Sequence, residues 1–150
     1  MKRIASLLSM ALLVSCSPSH PVDRVAAEDG IREAVFRYQL VSKGGSNAYL
    51  SLNGKDPTDA FIGRFADLGL PLGKVSQTMV TNPFLSVVDS KTGVGGVIYH
   101  VDSIKWISDR EVEVVGGSHS GGMSANEFTY TVKWRSGKWT VTKAILNGES

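Results

Sequence analysis

His100 and Asp102 are the residues of this 150-residue chain best placed for acid–base chemistry. They stand two apart, and in an extended strand that spacing puts side chains on one face. An imidazole and a carboxylate meeting there would act as a general base and the group that orients it. No nucleophile of suitable spacing accompanies them, and the bland alternative is a partly solvated strand histidine. The other histidines, His20 and His119, pair with nothing at metal-ligand spacing, so neither a metal nor a cofactor is expected. The run Gly116-Gly117-Ser118-His119-Ser120-Gly121-Gly122 is centred on histidine, so it is not a serine nucleophile elbow. Strand patterns flank it, which leaves no helix N-terminus to cradle a phosphate. It reads as a bulged or flexible connection, or else as a recognition loop with His119 and Met123 as candidate binding residues. Trp106, Trp134 and Trp139 would suit a sugar- or peptide-binding groove. Trp134 and Trp139 flank a hairpin, however, and a cross-strand aromatic pair is their simplest role.

A different chemistry is written at the N-terminus. Lys2 and Arg3 precede a short apolar run over residues 4–14, broken only by Ser6 and Ser9. A helix that spans a bilayer needs about 20 apolar residues, so the run reads as a signal peptide. It closes on Leu13-Val14-Ser15-Cys16 rather than on an A-x-A site, and this tetrapeptide resembles the lipobox of bacterial lipoproteins. The resemblance implies a diacylglyceryl thioether on Cys16, cleavage before it and acylation of the new amine. Cys16 is the only cysteine, so no intramolecular disulfide is possible, and lipidation accounts for the leftover thiol. Ser17, in place of aspartate, implies sorting to the outer membrane by the same resemblance. The expected organisation is a signal peptide over 1–15, a lipidated cysteine and tether over 16–26, and one domain over 27–150. Prolines at 18 and 21 keep the tether irregular. A flexible ten-residue link reaches roughly 17–19 Å, which holds the domain close to the bilayer.

Lys2 and Arg3 leave with the signal, which carries no acid. The mature chain then balances 14 basic against 14 acidic residues. A scattered, neutral charge distribution makes no electrostatic case for nucleic acid.

Period and punctuation give the elements that must position these groups. A helix is expected over 28–41, with Ile31, Ala34, Val35, Tyr38 and Val41 as its apolar stripe. Residues 48–52 form a short strand candidate. Asp56-Pro57-Thr58-Asp59 reads as a helix start with Asp56 capping; Phe61, Ile62, Phe65 and Leu68 would be buried, and Gly69 and Pro71 end the helix. Strands are expected over 74–81, 84–88, 94–107, 111–118, 127–135 and 138–146. The apolar phase set by Val97, Tyr99 and Val101 shifts by one at Ile104 and Trp106, which calls for a bulge near Asp102-Ser103.

The expected fold is α+β, two N-terminal helices packed on a curved antiparallel meander sheet. That order resembles the nuclear transport factor 2-like or cystatin-like cone. More closely, the chain resembles a family of small exported bacterial proteins of unknown function. The stretches that carry the likeness are IREAVFRYQL (31–40), GKDPTDAFIGRF (54–65), SIKWISDREVEVVGG (103–117) and TYTVKWRSGKWTVTKA (129–144). The resemblance implies a fold and carries over no catalytic residue. The leading expectation is therefore an envelope lipoprotein that binds the bilayer through acylated Cys16 and an envelope protein or small ligand through its domain. The alternatives are a small enzyme using His100 and Asp102 inside the cone, and a structural accessory subunit.

Overall fold

A computed structural model of the chain describes residues 23–42, 47–81, 86–121 and 124–149. The anchor and signal segments and Met123 lie outside the described residues.

The one long helix, α1 (Arg24–Ser42), starts four residues before the expected position. Asp23 explains this: its carboxylate accepts from the N–H groups of Val25 at 3.1 Å and Ala26 at 3.2 Å, donors that a first turn otherwise leaves orphaned. The buried face also differs from the expected stripe. Ile31, Val35, Phe36 and Leu40 are sealed, whereas Tyr38 and Val41 point outward. Gln39 sits in the apolar face. Its amide donates to the carbonyls of His100 and Gly117, both at 3.3 Å, and to the Tyr130 hydroxyl at 3.2 Å.

The second helix is a fragment. Thr58, not Asp56, caps α2 (Asp59–Gly63), and a separate 3-10 turn (Ala66–Leu68) ends on Gly69 in the left-handed region. The Asp56 carboxylate instead accepts from Ser76, from its N–H at 2.9 Å and its hydroxyl at 2.6 Å. Phe61 and Phe65 insert edge-on against Phe36 of α1, with ring centroids 6.0 and 6.3 Å apart, so this segment plugs one side of the core and forms no second helical layer.

Eight strands follow the helix: β1 (Asn47–Leu52), β2 (Leu72–Lys74), β3 (Thr78–Thr81), β4 (Ser86–Asp89), β5 (Gly96–Ser108), β6 (Glu111–Gly121), β7 (Ser124–Arg135) and β8 (Lys138–Glu149). Six build one sheet in the order β2-β1-β5-β6-β7-β8, and β3 and β4 pair separately. The sheet is mixed, because β1 runs parallel to both neighbours, β2 and β5. The fold expected from the sequence, two helices on an antiparallel cystatin-like meander, is therefore not what the chain builds: one helix packs on a large mixed sheet. The difference lies in β1, which enters the sheet interior between β2 and β5. The chain must then cross over twice, and parallel neighbours require such crossovers.

Alternation sorts the two faces. Ala48 and Leu50 of β1, Tyr99 and Val101 of β5, Val112 and Val114 of β6, and Tyr130 and Val132 of β7 join α1 in the main core. Tyr49 and Ile98 point to the opposite face, where Val87 of β4 covers them. The bulge expected from the phase shift is present: the β5–β6 register skips Asp102, from Val101 to Ser103, and keeps Ile104 and Trp106 against the core. Among the described residues no helix is long and apolar enough to cross a membrane.

Candidate functional site

The bulge at Asp102 brings the first candidate pair together. His100 Nδ1 and Asp102 Oδ2 are 2.8 Å apart, with side chains 24% and 39% exposed. His100 lies on the side of β5 that carries Ile98, away from the main core, so the expected placement inside a cone is not realised. Asp102 borders a cleft of about 220 Å³ that also holds Glu28 and Arg32 of α1, themselves paired at 2.6 Å.

His119 belongs to the same region. It sits within β6, opposite Ile98 and Ala125, rather than on a loop. The glycine-rich run up to Gly121 is strand as well. Its glycines serve close approach: a Cβ on Gly116 would strike the His100 carbonyl, and one on Gly117 the Asn126 carbonyl. His119 is half-buried, and burial, with His100 nearby adding to it, lowers its pKa from the ordinary value. Among the described residues no group of three or more His, Cys, Asp or Glu is arranged to hold a metal ion.

The larger concavity lies elsewhere, between the start of α1 and the hairpin of β7 and β8. Trp134 and Trp139 are direct register partners across that hairpin, their rings edge-on at 5.6 Å. Trp106 reaches Trp139 from β5 at 5.7 Å, and the Arg24 guanidinium lies 5.0 Å over the Trp106 ring. The cross-strand pair expected from the sequence therefore exists, but the two indoles differ: Trp139 is 9% exposed and Trp134 41%. Opposite them, α1 lines a groove of about 520 Å³ with the small residues Ala26, Ala27 and Gly30, the last so near Trp139 that a Cβ there would lie 3.2 Å from its ring. A second hollow of about 380 Å³ continues past Gly30, Trp134 and Trp139 toward Ala34 and Lys138.

The groove's charges are mostly engaged. Asp23 caps α1. Asp109 pairs with Arg24 at 3.3 Å, and Arg64 with Glu33 at 2.9 Å. Arg110, in the turn between β5 and β6, lines the groove and forms no ion pair among the described residues; its carbonyl accepts from the Trp134 N–H at 2.9 Å. Sequence reading found the tryptophans and missed this setting. The signal available was the spacing of Ala26, Ala27 and Gly30, small residues that recur on one helical face. No family model, no curated protein and no solved structure matches the chain.

Proposed function

We propose that the protein is a lipid-anchored binding module of the cell envelope, held by acyl chains on Cys16 and recognising its ligand in the groove between α1 and the β7–β8 hairpin. Ser17 favours the outer membrane as its address. The observation that carries the binding reading is Trp134. A large indole kept 41% exposed on the wall shared by two adjoining hollows is an apolar surface awaiting a partner. The partner is an envelope protein or a small ligand. The test is a photo-crosslinking aromatic at position 134 in the native, membrane-bound protein. A discrete adduct, absent when the probe stands at exposed Ile145, supports the reading; identical labelling at both positions refutes it.

The contact between His100 and Asp102 favours one second reading, a small hydrolytic or proton-transfer enzyme that uses this pair at the sheet surface, with Asp102 at the border of the 220 Å³ cleft. Asp102 holds Nδ1, which leaves Nε2 as the proton-accepting position. An activity surviving unchanged in His100→Gln would remove this reading.

A further inference from the structure

The groove's lining restricts its occupant, and the following rests on the binding reading above. Its walls are apolar or ionic: Trp134, Trp139, Ala26, Ala27 and Gly30 on one hand, arginines and aspartates on the other. Among the described residues no hydroxyl or amide side chain lines it. A carbohydrate needs hydrogen-bonding groups that are not already engaged to replace its hydration, because buried hydroxyls left unpaired are costly. The aspartates already have partners in the helix cap and in Arg24, and Arg64 has Glu33. Among the described residues Arg110 is the groove cation with no ion pair, and it shares the lining with Trp134 and Trp139. A volume of about 520 Å³ is of the size that takes one small molecule.

Position adds a second constraint. Asp23 is a groove residue seven positions after Cys16 in the chain. Seven extended residues span at most about 25 Å, so an anchored Cys16 keeps the groove mouth within that distance of the bilayer. We infer that the groove takes a single-chain amphiphile with an anionic head, of the fatty-carboxylate class. Its alkyl tail lies along Trp134 and Trp139, and its head is held by Arg110. A guanidinium offers a carboxylate a two-pronged, charge-assisted grip, and each buried methylene of the tail adds favourable transfer energy.

The test is titration calorimetry of the full lipidated chain in phosphatidylcholine discs, with the heat of empty discs subtracted. The probes are decanoate, decyltrimethylammonium and decyl maltoside, which share a tail and differ in the head. The expected result is saturable one-to-one binding of decanoate and none of the other two. Arg110→Glu, on an exposed turn, should weaken decanoate about tenfold, the factor for losing one charge-assisted contact. Ala26→Trp, at an exposed helix position, should fill the slot and abolish binding. Absence of saturable decanoate heat, equal affinity for all three heads, or unaltered affinity in Arg110→Glu each overturns the inference. If these fail while position 134 still yields its discrete adduct, the groove remains a binding site and only the ligand class is wrong.

Discussion

At the scale of single residues, backbone proximity decides which positions tolerate change. Gly117 lies where β6 and β7 close up, and a Cβ there would penetrate the Asn126 carbonyl. The obstacle is main chain on a paired strand, so relief requires the sheet to move. Gly117→Ala should cost about 3 kcal/mol, as overpacking in a rigid setting does. Gly63 is the matched control, since a Cβ there meets nothing within 4 Å; Gly63→Ala should be neutral or slightly stabilising. Urea denaturation of both variants measures the difference, and equal midpoints would refute the close-packing argument. His119 makes a separate prediction about pH. Its folded pKa lies below the ordinary 6.5, mainly through burial. The unfolded chain therefore binds this proton more readily, and stability is complete above the unfolded pKa and declines as pH falls below it. His119→Gln should flatten the stability profile below about pH 6.5, read by thermal unfolding at stepped pH.

At the scale of elements, polar ties hold the pieces that the core does not. Asp89 organises the turn from β4 into β5. The N–H groups of Thr92 at 2.8 Å and Lys91 at 2.9 Å, and the Tyr49 hydroxyl at 2.9 Å, together hold its pKa down to about 2. A depressed carboxylate stabilises the fold above its unfolded pKa of about 3.9. That contribution disappears as pH falls from there through about 2. Asp89→Asn should remove this part of the acid-unfolding curve, followed by far-UV circular dichroism. Arg37 makes the corresponding tie for the second helical segment, bridging Glu33 of α1 at 2.9 Å and Asp67 at 2.8 Å. Both pairs are partly solvated, so a double-mutant cycle of Arg37→Met with Asp67→Asn should return a coupling of only about 0.5–1 kcal/mol. These ties explain what was legible in the sequence. Local pattern located most strands and the Asp102 bulge, because period-two alternation is a property of neighbours in the chain. It did not reveal that β1 runs parallel between β2 and β5, since pairing partners are remote in sequence. It also put the second helix at full length, although Asp56 is drawn off to Ser76 and the apolar residues turn toward Phe36. The groove was illegible for the same reason: Ala26, Gly30, Arg110 and Trp134 converge only through tertiary packing.

At the scale of the whole molecule, the proposed attachment to the envelope rests on lipid rather than on charge. Without residues 1–15 the chain would carry 14 basic and 14 acidic residues. A basic residue near an anionic bilayer contributes about 1 kcal/mol, and an evenly balanced surface gains nothing from that term. The apolar face of α1 is committed to the sheet, with Ile31, Val35 and Phe36 fully sealed, so the helix cannot lie in the interface as an amphipathic anchor does. One acyl chain would hold the protein only reversibly, whereas two or three hold it stably. Intact-mass analysis of the native protein should therefore find Cys16 as the first residue, bearing multiple acyl chains. Cys16→Ser should leave the signal uncleaved and the lipid absent. Trp134→Ala and Arg110→Glu, which alter only the groove, should stay in the membrane fraction at wild-type levels. A native protein that keeps its first fifteen residues, or shows an unmodified thiol at position 16, would undo both the anchor and the distance that places the groove beside the bilayer.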